Sequence, residues 1–192
     1  MRVTFATKNE GKIKELRNLA KNTELNIETV PDKIIFPKET GLTYQENALI
    51  KAQHIFDLIG TNVIADDSGL EVDALGGDPG IFSSRYSKRA TDTANINKLL
   101  KNLKNTSNRS ARFKCSMTCI LEKGSEPLFS EGILEGLITT EQKGKNGFGY
   151  DPVFFLPDLG LCMAEISNKE KNTISHRAIA FQQMIKKLGR IS

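Results

Sequence analysis

Within Val63-Ile64-Ala65-Asp66-Asp67-Ser68-Gly69-Leu70, an apolar run of buried-strand type meets two adjacent carboxylates, a hydroxyl and a glycine. In α/β proteins the carboxyl ends of strands open into the ligand crevice. Paired aspartates offer only oxygen donors, which suits Mg²⁺ together with a phosphate substrate. A solvated turn is the competing reading, because Asp, Ser and Gly are ordinary turn residues.

A second segment favours the phosphate chemistry. Residues 4–15 read as the end of a strand, a short polar loop, and a helix that carries Ile13, Leu16, Leu19 and Ala20 on one side. The first turn of such a helix presents free N–H groups and the positive end of its dipole. Lys8 and Lys12 add positive charge there, and a cation at a helix N-terminus is unfavourable unless an anion sits beside it. A snorkelling surface lysine is the alternative. The chain contains neither GxxxxGK[ST] nor GxGxxG, so neither a Walker-type loop nor a dinucleotide fingerprint is present.

Two further clusters could contact a base. In Gly144-Lys145-Asn146-Gly147-Phe148-Gly149-Tyr150-Asp151, three glycines beside aromatics let the backbone approach a flat ligand. Phe148 offers a stacking face and Asp151 a reader of a polar edge, although a hairpin loop with Phe148 in the core fits as well. Farther on, Ser167 and Glu170 have capping-box spacing, and Ile174, Ala178, Phe181, Ile185 and Leu188 continue as an amphipathic helix. Lys171, His176 and Arg177 would not share one face of an unbroken helix. The pattern therefore predicts a break near Asn172-Thr173, with Thr173 or Ser175 opening a second helix. His176 followed by Arg177 at a helix start suits an anion or a base edge, whereas a lone histidine is more often structural.

Together these segments resemble the inosine triphosphate pyrophosphatase family, the RdgB-like enzymes that clear non-standard purine nucleotides. The resemblance rests on Thr7-Lys8-Asn9-Glu10-Gly11-Lys12, Glu39-Thr40-Gly41-Leu42-Thr43, Glu46-Asn47-Ala48, Ala65 to Leu70, Leu75-Gly76-Gly77, Pro79-Gly80, Ser84-Arg85-Tyr86, Phe148 to Pro152 and Ser175-His176-Arg177-Ala178, in that order. It implies that Thr7, Lys8, Asn9, Glu10, Gly11 and Lys12 form a triphosphate loop. It places the proton acceptor and a magnesium ligand on Asp67, a second magnesium carboxylate on Glu39, and a substrate contact on Ser68. Base and phosphate contacts fall on Phe148, Gly149, Tyr150, Asp151, Lys171, His176 and Arg177. The chain departs from the family pattern at Lys8, where relatives usually have glycine, and at Lys38, where many have a second acid. A lysine cannot adopt positive φ cheaply, so either the loop does not need it or the local backbone differs.

The implied activity is Mg²⁺-dependent hydrolysis of ITP, dITP or XTP to the monophosphate and pyrophosphate. Alternatives are a related pyrophosphatase for pyrimidine or modified nucleotides, and a nucleotide-binding module without turnover. The implied fold is α/β, with a long central mixed sheet flanked by helices and two lobes with the active-site cleft between them. A homodimer is also implied.

Composition agrees with this reading. The 192 residues suffice for one domain with a sizeable core. No apolar run is long enough to span a membrane, and the start reads as a strand instead of a signal peptide. The net charge of +4 suits a polyanionic small substrate. A nucleic-acid-binding domain ranks last, because the aromatics follow core periodicity instead of interleaving with lysines. Three cysteines with no zinc spacing point to a reducing, cytoplasmic setting, and Cys115 and Cys119 share one side of an alternating strand.

The expected elements are strands at 2–6, 26–30, 62–66, 110–122, 127–138 and around 153–155, with a further short strand within 69–76. Helices are expected at 11–21, 43–60 and 92–104, and near the C-terminus to about Gly189. The long strands would form a hairpin around Lys123-Gly124-Ser125, and the polar stretch Lys104 to Ser110 is the expected mobile connection.

Overall fold

The computed structural model describes residues 1–122 and 124–189. The expected hairpin tip at Lys123 lies outside the described residues; the adjoining Gly124 has φ +83°. In chain order the elements are β1 (Arg2–Phe5), α1 (Glu10–Ala20), β2 (Asn26–Thr29), α2 (Tyr44–Ile59), β3 (Val63–Val72), α3 (Asp92–Asn102), β4 (Ser110–Ile120), β5 (Leu128–Ile138), β6 (Phe154–Leu156), β7 (Leu161–Cys162), α4 (Asn168–Ile174) and α5 (His176–Leu188). Among the described residues, seven strands hydrogen-bond in the order β2-β1-β3-β4-β5-β6-β7. β1 runs parallel to β2 and β3, while β6 is antiparallel to β5 and β7, which makes the sheet mixed, as expected.

The helix boundaries follow local chemistry. Asn9 caps α1 by accepting the N–H of Lys12 at 3.1 Å. Thr43 and Glu46 form a reciprocal capping box at the start of α2, and Gly60 closes that helix in the left-handed region at φ +65°. Ser167 and Glu170 repeat the box at α4. The break before α5 falls at Ser175, whose φ of −67° and ψ of 153° are extended. Of the expected positions, Ser175 is the one that opens the second helix.

The chain divides into two compact units. The first comprises residues 1–67, 115–132 and 176–192. Its core has two parts because successive strand residues point to opposite faces. Val3, Phe5 and Ile64 pack with Leu16 and Ala20 of α1 and with Ala180, Phe181 and Met184 of α5. Ala6, Val63 and Ala65 pack instead with Ala52, Ile55 and Phe56 of α2. Gly132 of β5 lies against α5, where a Cβ would collide with the His176 carbonyl oxygen and reach 2.6 Å from the Ala180 nitrogen. Only glycine permits that approach.

The second unit comprises residues 68–114 and 133–175. Ile96, Leu99 and Leu103 of α3 and its end pack with Leu70, Val72, Phe113, Val153 and Phe154. The stretch 104–110 lies within this unit. There the Arg109 guanidinium donates to the carbonyls of Leu103, Ile138 and Thr139 at 2.9, 2.8 and 2.5 Å.

Two expectations about the segment around residues 62–76 are overturned. β3 does not end at the aspartates but runs on to Val72, ten residues in all, and residues 73–75 form a 3₁₀ turn, not a separate strand. The polar run that resembled a turn is the buried middle of a strand, because each carboxylate finds cationic or amide partners that offset its desolvation.

Candidate active site

The alternation of β3 sends Asp66 and Asp67 to different faces. Asp66 shares parity with Ile64, so it points to the α1 and α5 side. There it is fully buried and lies 3.0 to 3.1 Å from the Lys12 ammonium and 3.1 Å from Arg177 Nε. Arg177 also pairs with Glu15 of α1, and the Cys115 thiol sits 3.7 Å from Asp66. Burial alone would raise the Asp66 pKa, but Lys12, Arg177 and Lys51 together hold it well below the usual carboxylate range. Burial likewise opposes the charge on Arg177, yet Glu15 and Asp66 keep it firmly cationic.

Asp67 shares parity with Val63 and Ala65 and meets α2. Asn47 Nδ2 donates to Asp67 Oδ2 at 3.2 Å, and Lys51 Nζ lies 3.7 Å from Oδ1. The same ammonium is 2.6 Å from Glu39 Oε1. Asn47 and Lys51 are one helical turn apart on α2, so both reach the acids from one face. Asn47 also accepts the Gly41 N–H at 2.9 Å, while Glu46 accepts those of Leu42 and Thr43, which fixes the segment that follows Glu39. Burial raises the Asp67 pKa, with Glu39 and Asp66 adding to it, against the opposing pull of Lys51 and Lys12. Burial tends to discharge Lys51, but Asp67, Asp66 and Glu39 outweigh it and raise its pKa.

The Thr7 to Lys12 loop is ordered by its own side chains. Thr7 Oγ1 accepts the Asn9 N–H at 3.1 Å, and the Lys12 ammonium turns to Asp66. Thus an anion does sit beside Lys12, and in this structure it is a carboxylate. Among the described residues, Ala90 is the one non-glycine with positive φ, so Lys8 occupies its position without left-handed backbone. Its ammonium reaches the Asp32 carbonyl at 3.4 Å and lies 5.7 Å from the Phe36 ring centroid. Glu10 is exposed and Gly11 half-buried at the start of α1, Ser68 is half-buried in β3, and His176 is buried at the start of α5.

In the second unit, Asp151 and Lys171 are both buried and paired with each other. Asp151 Oδ2 also accepts the Phe148 N–H at 2.9 Å, and Lys171 Nζ lies 4.8 Å from the Phe148 ring centroid. The Tyr150 hydroxyl donates to the Ser83 carbonyl at 2.9 Å. Gly147, at φ +76°, leaves room for the Asp151 carboxylate that a Cβ would strike.

Lys51 is the side chain at the acids that the motifs did not single out. Its signal is a polar pair, Asn47 and Lys51, on the face of α2 that otherwise presents Tyr44, Ala48, Ala52 and Ile55. Glu39 and Asp67, on either side of one cation, supply the hard oxygen donors that Mg²⁺ prefers. Among the described residues no group of three or more His, Cys, Asp or Glu side chains forms a metal cage. That donor set fits an ion that keeps several waters and takes substrate phosphates as ligands, as Mg²⁺ does.

A mixed α/β sheet whose buried acids are each held by a cation, with a capped, lysine-bearing first loop, defines the class: an α/β protein with a cluster of paired, buried charges. Comparison narrows it. The Ham1 family profile matches residues 3–187, and the chain belongs to the Ham1 family. It is 47% identical over 187 residues to the dITP/XTP pyrophosphatase of Bacillus licheniformis, covering 95% of both chains. It is 45% identical over 189 residues to the dITP/XTP pyrophosphatase of Shigella flexneri, covering 96% of both. Among solved structures, the Ham1 protein of Staphylococcus aureus superposes with a TM-score of 0.88 at 37% identity over all of both chains. A HAM1 protein from Coxiella burnetii gives a TM-score of 0.87 at 40% identity over 99% of both.

Proposed function

We propose that the chain is a nucleoside triphosphate pyrophosphatase that hydrolyses non-standard purine nucleotides such as dITP, ITP and XTP to the monophosphate and pyrophosphate. Near full-length similarity to relatives named for this activity supports the reading. The observation that carries it is the Glu39–Lys51–Asp67 cluster, two carboxylates sharing one buried ammonium.

Glu39 and Asp67 are the residues that would hold Mg²⁺, which when bound neutralises phosphate oxygens and the charge of the leaving pyrophosphate. Asp67 orients the attacking water and accepts its proton. The water oxygen bonds to the α-phosphorus, the bond to the bridging oxygen of the β-phosphate breaks, and pyrophosphate departs with that oxygen. The Thr7 to Lys12 loop binds the triphosphate through backbone N–H groups and the ammonium groups of Lys8 and Lys12. Ser68 donates to the substrate, and Lys171 adds positive charge. Phe148 stacks on the base within the Gly149-Tyr150-Asp151 turn, while His176 and Arg177 serve its polar edge. A guanidinium only donates, so it accepts a 6-oxo purine and is left without an acceptor against the 6-amine of adenine. We further propose that the 192 residues act as one catalytic domain in a cytoplasmic homodimer.

The test is product identity. With Mg²⁺, dITP should yield pyrophosphate and the monophosphate in equal amounts, and EDTA should abolish turnover. Stoichiometric orthophosphate with a diphosphate would refute the bond assignment.

A further inference from the structure

We propose that Asp92 is a positioning residue for base recognition, acting through the 147–151 turn from the head of α3; the inference rests on the function proposed above. Thr91 already caps α3, its side chain accepting the Ala94 N–H at 3.3 Å. The Asp92 carboxylate is therefore available for another role, and its Oδ2 accepts the Gly149 N–H at 2.7 Å across 57 residues of sequence. Gly149 has φ +62°, and nothing lies within 4 Å of where its Cβ would be. The glycine serves the backbone conformation, and the carboxylate fixes the N–H which that conformation directs outward.

Asp92 begins a polar ribbon along α3. Asn95 donates to the carbonyls of Ser83 and Ser84 at 3.3 and 3.1 Å and accepts the Ser87 N–H at 2.7 Å. Lys98 reaches the Tyr86 carbonyl at 2.7 Å, and Asn102 donates to the Tyr86 hydroxyl at 2.8 Å. Positions 92, 95, 98 and 102 fall on one helical face. Because the Tyr150 hydroxyl also bonds the Ser83 carbonyl, the turn is fixed at two consecutive residues, Gly149 directly to α3 and Tyr150 to the segment that Asn95 holds. Asp151 ties the same turn internally through the Phe148 N–H. Phe148 is thus aimed by an assembly whose exposed anchor is Asp92.

The experiment compares Asp92→Ala with Asp92→Asn, which keeps an oxygen acceptor of similar reach. For Asp92→Ala the KM for dITP should rise by about tenfold, the scale of one charge-assisted hydrogen bond, with kcat within a factor of about two. The preference for dITP over dATP should narrow, and Asp92→Asn should restore most of both. An unchanged KM and base preference in Asp92→Ala, with active wild type, overturns the inference alone. So does an equal loss on both nucleotides with a lowered melting temperature, the mark of a general structural role. Wild-type protein that does not turn over dITP refutes the proposed function, and this inference with it.

Discussion

Replacing each of the adjacent aspartates by asparagine should give opposite phenotypes. Asp66→Asn removes the charge that balances Lys12 at 3.0 Å and Arg177 at 3.1 Å, in a side chain with no solvent exposure. At about 3 Å and an effective dielectric constant near 20, each pair is worth on the order of 5 kcal/mol before desolvation. Removing one partner of a buried ion pair leaves a net loss of about 3–5 kcal/mol. Glu15 still pairs with Arg177, which favours the lower end of that range. At roughly 2–4 °C per kcal/mol for a chain of this length, the melting temperature should fall by roughly 6–20 °C. Asp67→Asn behaves differently. Burial, Glu39 and Asp66 already disfavour its ionised form, Lys51 retains Glu39 at 2.6 Å, and an amide oxygen can still meet Asn47. Its stability should stay within about 1 kcal/mol of wild type, because the substitution removes a charge that burial already penalises. Its turnover of dITP should fall by at least ~10²-fold, the lower range for loss of a general base. Differential scanning calorimetry and a pyrophosphate-release assay provide the readouts. Equal destabilisation by the two substitutions would refute the division of the acids between the two faces, and near wild-type turnover in Asp67→Asn would remove it from the chemistry.

Lys51→Met leaves Glu39 and Asp67 without their shared cation and should cost about 3 kcal/mol or more in urea unfolding, with Mg²⁺ restoring part of the loss by binding only the folded form. Unchanged stability would show that Lys51 does not hold the acids together. The three cysteines should resist iodoacetamide at pH 8 in the folded protein and react fully after unfolding, since all are buried and burial pushes the Cys119 thiol up to about 12. Rapid labelling of the native protein would contradict that packing.

The elements whose periodicity and end signals agree were legible in the sequence. Thr43 with Glu46 and Ser167 with Glu170 are local devices, and both capping boxes form as spaced. The alternation of Cys115, Met117 and Cys119 likewise marks one buried side of β4. β3 departs from its local pattern for a physical reason. Asp66-Asp67-Ser68-Gly69 has the composition of a turn, and nothing nearby in sequence announces the cations that make its burial possible. Lys12 lies 54 residues from Asp66, and Arg177 lies 111 residues away. Such pairings arise from topology, so local patterns cannot display them. The same holds for Arg177, whose type and place suit an anion or a base edge, and for Asp151, which suits a base edge; in the folded chain each also has a partner side chain to hold in place.

The alternation in β3 also bears on how this chain can vary in length. A substitution at Ile64 or Ala65 changes volume and leaves every neighbour on its own side. Deleting or inserting one residue there shifts the period-two pattern by a single step. An insertion would turn Asp66 toward α2 and bring Ala65 among the cations, whereas a deletion would bring Asp67 among them and leave Ser68 facing Lys51. Either way one of the two buried charge systems loses its carboxylate. Homologues with working sites should therefore tolerate differing side chains within residues 63–67 while keeping that segment's length fixed, and accept gaps in loops such as the one around Gly124.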